Sequence, residues 1–207
     1  TERIEETEDD AGITADAKSA VDETVSVDKL EEIEVTNKMK YATSGKCGDN
    51  LTWSYGSGVL TISGTGAMYD YPVYDTTSSS QCMPWYNYKS AITTVNIAEG
   101  VTTIGACAFW GCSSLTSVTT PATISTIGFG AFCDCSGLQQ VTIKAGFVGE
   151  SAFIRCTALR TVTVGSGVTG FGISAFENCP GLTGVYISDL AAWCRIDFGG
   201  YLSNPLY

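Results

Sequence analysis

The chain has 207 residues, a net charge of −11, nine cysteines and no histidine. Without histidine there is no Ser-His or Cys-His nucleophile pair, no histidine zinc site and no histidine acid–base catalyst. No apolar run approaches the roughly 20 residues of a membrane span, and no basic patch offers a footprint for nucleic acid. The chain opens on Thr1 rather than Met, as a processed chain or a piece of a longer one does, and no signal peptide is visible.

The charge is unevenly placed. Residues 1–45 hold 13 of the 22 acidic residues and 5 of the 11 basic ones, so the remainder is nearly neutral. The run "TERIEETEDD" and the sparse apolar residues Ile13, Val21, Val25, Leu30 and Ile33 predict an acidic disordered spacer over 1–45. Such a segment buries too little apolar surface to offset its ordering entropy. The densest apolar spacing, over residues 21–35, allows a short amphipathic helix.

Residues 46–90 read as a β-hairpin and aromatic capping module. "LTWSY" and "VLTIS" flank "GSG" and predict a hairpin pairing 51–55 with 59–63. A long aromatic loop without clear period follows. Trp53, Tyr69, Tyr71, Tyr74, Trp85, Tyr86 and Tyr88 are concentrated here. They read either as a plug over an open end of the downstream array or as a stacking surface for sugar or protein. Terminal caps are required of repeat arrays, which favours the plug. Asp70 and Asp75 are too few for calcium, which takes 6–8 oxygen ligands. "NLT" at Asn50 is a glycosylation acceptor pattern.

From residue 91 to residue 207 the chain repeats itself. "AFWGC", "AFCDC", "AFIRC" and "AFENC" set Phe109, Phe132, Phe153 and Phe176 at spacings of 23, 21 and 23. Cys112, Cys135, Cys156 and Cys179 keep the same spacing, as do Leu115, Leu138, Leu159 and Leu182. Ile104, Ile127, Val148 and Phe171 form another column, each followed by glycine. A fixed period in this range with several aligned apolar columns is the signature of a leucine-rich-repeat solenoid. Each coil supplies one short strand, "LxxVxI", a turn and a return through "IGxxAFxxC". The shorter spacing at "TIKAGFVGESAF" predicts a tightened turn with the strand undisturbed. The last residues read as an incomplete repeat.

The stretch "GSGVTG", residues 165–170, matches the G-x-G-x-x-G loop of dinucleotide sites. That loop works only between a strand and a crossover helix. Here it falls in the register of "AEGVTTIG" and "PATISTIG", with no helix after it, so it reads as a turn between strand and return arm.

"GVTTIGACAFWGCSSLTSV", "TISTIGFGAFCDCSGLQQV" and "GVTGFGISAFENCPGLTGV" resemble the BspA-like leucine-rich repeats of bacterial and some protozoan surface proteins. The leading module "GKCGDNLTWSYGSGVLTISGTGAMYDY" resembles the segment that often opens such arrays, and "VYISDLAAWCRIDFGGYLSNPLY" a module where they usually continue. The resemblance covers residues 45–207. It implies a β-rich, right-handed solenoid with a short parallel sheet, secreted or attached to the cell surface. It also implies a non-enzymatic role in adhesion and host-protein binding, with no shared catalytic residues and no cofactor.

The Cys112, Cys135, Cys156 and Cys179 column reads as buried small hydrophobes donating weak S–H bonds to turn backbone. Parallel side chains on adjacent rungs have poor disulfide geometry. Off the column, a Cys47–Cys82 disulfide would tie the aromatic loop to the hairpin. Within each "LxxVxI" the intervening residues point outward on the concave sheet. One column is Thr94, Ser117, Gln140, Thr161 and Gly184; the next is Asn96, Thr119, Thr142, Thr163 and Tyr186. Tyr186 and nearby Arg160 are the residue types that interface hot spots favour. Together these residues form the candidate binding face, an area of roughly 300 Å² for five strands, well short of the about 800 Å² per partner of a stable interface. The expected partner is a protein, host or neighbouring-cell, with glycan as a second class. A carbohydrate-binding accessory module and a structural spacer are the alternatives that stay open.

Overall fold

The computed structural model describes residues 42–72 and 82–206. The chain divides after Lys40 into two units, and every described residue lies in the second. The expected spacer up to residue 41 and its helix over 21–35 lie outside the described residues, as do Tyr74 and Asp75.

Twelve strands form one continuous sheet with two ladders. The first ladder begins with β1 (Ser44–Lys46), β2 (Leu51–Gly56) and β3 (Val59–Gly64), each antiparallel to the next. It continues in parallel through β5 (Thr94–Ile97), β7 (Ser117–Thr119), β9 (Gln140–Val148), β10 (Thr161–Phe171) and β11 (Gly184–Ile187). The second ladder runs through β4 (Gly66–Ala67), β6 (Val101–Ile104), β8 (Thr126–Ile127), the far halves of β9 and β10, and β12 (Asp197–Phe198). The molecule is a β-solenoid of about five turns with little helix; among the described residues the single α-helix is α1 (Leu190–Trp193), capped by Asp189, whose Oδ1 accepts from the Ala192 N–H at 3.0 Å. The hairpin predicted from "LTWSYGSGVLTIS" forms as β2–β3. Its second strand also pairs in parallel with β5, so it is built into the solenoid as the first rung.

The apolar columns meet in the core. Phe109, Phe132 and Phe153 are fully buried and stack face to face, with Trp85 ahead of them and Phe176 after them. Ring centroids along this stack are 5.7, 5.0, 5.1 and 5.3 Å apart, close to the 4.7–4.9 Å strand spacing of a sheet. Each rung therefore contributes one ring to a continuous aromatic column, an arrangement available only when rungs stack. Trp85 also meets Trp53 and Tyr71 edge to face, and its Nε1 donates to the Ala108 carbonyl at 2.8 Å. These three buried aromatics close the N-terminal end of the core, whereas Tyr69 stays exposed with its hydroxyl donating to Asp49.

The column ending in glycine has a steric cause. The N–H groups of Gly128, Gly149 and Gly172 donate back to Ile104, Ile127 and Val148 at 2.7–2.8 Å. A Cβ at these positions would lie 2.5–2.7 Å from backbone atoms of the preceding rung. Successive coils approach so closely there that no side chain fits.

Two expectations for the turns are corrected. The short repeat does not tighten a turn beside an undisturbed strand; β9 runs without a break from one ladder into the other. Residues 165–170 are likewise not a turn but the middle of β10. The two-residue difference between these rungs is absorbed as two register slips. Thr161–Val164 pair with residues 21 positions earlier, Gly167 and Val168 with residues 22 earlier, and Gly170 and Phe171 with residues 23 earlier. Each slip is a one-residue bulge. The glycines of the motif serve this junction: a Cβ at Gly165 would sit 2.4 Å from the Lys144 carbonyl oxygen, and one at Gly170 would sit 2.9 Å from the Phe147 ring, which covers it.

Candidate functional site

Alternation along the first ladder sends Val95, Val118, Val141 and Val162 into the core and their neighbours out. The register brings Thr94, Ser117, Gln140, Thr161 and Gly184 into one row. Thr119, Thr142, Thr163 and Tyr186 form the next row, which Asn96 enters on β5. Thr94, Asn96, Ser117, Thr119, Gln140 and Arg160 are exposed; Thr142, Thr161 and Thr163 are half-buried between their neighbours. Tyr186 is 61% exposed and is the one aromatic on this surface. The candidate residues are thus drawn together on one face.

Sequence reasoning stopped the face too early. Val59 and Thr61 on β3 pair with Thr94 and Asn96, and Ser54 on β2 pairs with Thr61. Ser44 on β1 pairs with Ser54. The hydroxyl-rich row therefore crosses eight strands, an area of roughly 500 Å² at sheet spacings. The sequence signal was present in the alternation of "LTWSY", where Leu51 and Trp53 go in and Thr52 and Ser54 go out.

A second cluster lies on the return arms. The Arg155 guanidinium donates Nε to Asp134 Oδ1 at 2.6 Å and Nη2 to Oδ2 at 2.7 Å, while Trp110 Nε1 donates to Oδ2 at 2.9 Å. These bonds, Arg155 first, hold the Asp134 carboxyl down at about 2. Beside them Cys107, Trp110, Phe129, Cys133, Ile154 and Arg155 are among the residues lining a small apolar cleft of about 180 Å³. Burial, reinforced by the Asp134 charge, pushes the Cys133 thiol up to about 12, so it is no nucleophile at neutral pH.

Asp134 and Arg155 belong to one of two columns of left-handed backbone. Cys107, Gly130, Ser151 and Ser174 have φ of 53–57°, and Gly111, Asp134, Arg155 and Asn178 have φ of 58–70°. Two such residues per coil reverse the chain without a helix.

The cysteine column is as the sequence suggested. Cys135, Cys156 and Cys179 donate S–H to the carbonyls of Phe109, Phe132 and Phe153 at 3.1–3.2 Å. Burial pushes the Cys112 thiol up to about 12 and raises Cys135 well above its ordinary range. All nine cysteines are free, including Cys47 and Cys82. Asp70 is engaged by protein, its Oδ1 accepting from the Ala106 N–H at 2.7 Å. Among the described residues no group of three or more acidic or cysteine side chains could hold a metal, and no helix is long and apolar enough to cross a membrane.

This geometry can be set beside known proteins. A leucine-rich repeat protein from Eubacterium ventriosum ATCC 27560 is 30% identical over 69% of this chain, with a TM-score of 0.55. The match spans 39% of that protein's own length. A leucine rich cell surface protein from Faecalibacterium prausnitzii A2-165 is 26% identical over 72% of this chain and 44% of its own, with a TM-score of 0.43. No curated protein matches. The model of the BspA type leucine rich repeat region matches residues 84–193 in six copies, beginning beside the Trp85 that heads the aromatic stack. With its repeats, its stacked core and more than half of its length accounted for by that model, the chain belongs to the BspA-type leucine-rich repeat family.

Proposed function

We propose that this chain is a non-enzymatic, secreted or surface-anchored module that binds protein through the outward face of its first ladder. One observation carries this reading: polar rows lie in register across the parallel strands and contribute nothing to the core. A surface maintained on a rigid sheet without a packing role suits recognition. At roughly 500 Å² it falls below the about 800 Å² per partner typical of stable complexes, so a single copy binds weakly and many copies on one surface supply avidity. Small hydroxyl side chains lose little rotamer entropy on binding, and Tyr186 supplies the one large anchor. The family is typically non-enzymatic, in keeping with the absence of histidine.

The test is site-specific photocrosslinking to extracellular proteins, with the crosslinker placed at Thr142 or at Ser113 on the return arm. Protein adducts from Thr142 and not from Ser113 are expected, reduced by Tyr186→Ala. Adducts from Ser113 alone would remove the sheet face from consideration. Binding confined to a glycan array and abolished by Tyr186→Ala would favour the carbohydrate-binding alternative.

A further inference from the structure

The side chains that flank the Phe stack on the return arms also fall into columns, and the rung of Phe132 interrupts two of them. The hydrogen bonds between arms align Trp110, Cys133 and Ile154, and likewise Cys107, Gly130 and Ser151. Cys133 is thus the small residue between Trp110 and Ile154, and Gly130 sets no side chain between Cys107 and Ser151. The backbone does not require that glycine, since Cys107 and Ser151 carry side chains at φ of 53° and 55°, beside 57° at Gly130. Its effect is to leave space. A Cβ at Gly130 would meet Cys107 Sγ at 3.6 Å and Cys133 Cβ at 3.7 Å, and would stand between them. The space is the cleft of about 180 Å³ beside the Asp134–Arg155 pair, with Trp110, Phe129, Ile154 and Arg155 around Gly130 and Cys133.

The surround of this cleft is fixed in advance. Arg155 commits Nε and Nη2 to the Asp134 carboxylate, and Trp110 Nε1 donates to the same group. Guanidinium N–H bonds lie in the plane of the group, so these hold the plane and leave its faces for stacking. Trp and Arg are two of the residue types that interface hot spots favour, in concave sites more than on flat ones. Phe129, 45% exposed, adds apolar surface beside them. Volume selects the occupant. Clefts that enclose a free ligand measure about 300–1,000 Å³, whereas a cavity of about 150 Å³ holds one benzene ring. The cleft therefore has room for one ring and little more.

We infer that this cleft is an anchor site for one aromatic side chain of a partner protein, separate from the outward sheet face. Charge complementarity selects an aromatic ring over an aliphatic side chain. The negative face of a ring is attracted by the Arg155 guanidinium, and the Trp110 and Phe129 rings offer it offset or edge contacts. A side chain attached to a protein surface, unlike a free aromatic molecule, also brings neighbouring atoms to cover the exposed part of Phe129. The site lies within the array, with a rung before it and a rung after it, so its shape is set by neighbours present in this chain.

The experiment titrates the nitrogen-15-labelled 207-residue chain with acetyl-Gly-Trp-Gly-amide and follows the N–H resonances of Trp110 Nε1, Arg155 Nε and the backbone. Saturable shifts at Trp110, Gly130 and Arg155 are expected, with Thr142 and Thr163 on the sheet face unmoved. Acetyl-Gly-Leu-Gly-amide should bind about threefold or more weakly. Gly130→Asn places a side chain in the cleft at a φ that asparagine tolerates, and should weaken the Trp peptide about fivefold or more while the resonances of other rungs stay in place. Phe129→Ala, at an exposed position, should weaken it as well. No saturation at millimolar peptide, equal binding of the Leu peptide, or undiminished binding to Gly130→Asn would each overturn the proposal. So would free indole binding more tightly than the peptide, which would mark a small-molecule site. Self-association in sedimentation that Gly130→Asn abolishes would overturn it too, by making the occupant a second copy. Each of these results leaves the sheet-face reading to its own test.

Discussion

The return arms and the outward sheet face are built from the same repeat, yet obey opposite demands. On the return arm each position is fixed by its counterparts one rung away: a ring on a ring, a thiol on a carbonyl, a glycine against backbone. On the sheet face the backbone register is equally strict, but the side chains range from glycine to tyrosine and from serine to glutamine. The first region holds the coils together, and the second is free to vary. A solenoid in which each rung contacts only its neighbours allows this division, since stability is a sum of local interface terms.

Substitutions that breach the close approach between rungs should destabilise the fold strongly. Gly149→Ala places a Cβ 2.7 Å from the Ile127 carbonyl oxygen, and overpacking of this kind is expected to cost about 2–3 kcal/mol, measured by denaturant unfolding. Cys135→Ala removes a buried thiol and its bond to the Phe109 carbonyl, for an expected loss of about 1–2 kcal/mol. A thiol reagent should modify exposed Cys194 first and leave Cys112, Cys135 and Cys156 unmodified until the protein unfolds. Labelling of the column in the native protein would show that the return arms open more readily than this packing implies.

Asp134 is a charged group on the return side, paired there with Arg155. Its folded carboxyl lies near 2 against an ordinary value of 3.8. A depressed carboxyl stabilises the fold above its unfolded value, and that contribution disappears as pH falls from about 4 to about 2. The pair with Arg155 is substantially exposed, so solvent screening limits the effect to no more than about 1 kcal/mol. Asp134→Asn should remove this acid-dependent step from a series of unfolding curves. Thr119→Ala, on the sheet face, should stay within about ±0.5 kcal/mol at any pH.

The columns of Phe, Cys, Leu and Val were legible because each recurs at the same spacing and lies on one side of the core. The outward rows followed from strand alternation. Trp85 was harder to place at the head of the Phe stack. It precedes Ile92 by seven residues, whereas each Phe precedes its Leu by six, so spacing alone does not align it. The β3 rung was read only as half of a hairpin, since parallel pairing with β5 is formed across a long connection. The bulges in β10 depend on the relative lengths of two neighbouring coils and have no signature within either coil. Glycine at the end of the Ile104 column was visible as a pattern, but its cause, backbone approach between rungs, belongs to the stacked structure alone.

The division between a return side that holds the fold and a sheet face that does not is tested most directly by one paired measurement. Phe153→Ala and Thr142→Ala are unfolded under identical conditions, with hydrogen exchange followed at Val118, Val141 and Val162. Phe153 is fully buried in the ring column, and its truncation should cost about 3–5 kcal/mol and lower protection in both adjoining rungs. Thr142→Ala should change stability by no more than about 0.5 kcal/mol and leave that protection intact. Equal losses from the two substitutions, or a loss confined to a single rung, would contradict the account.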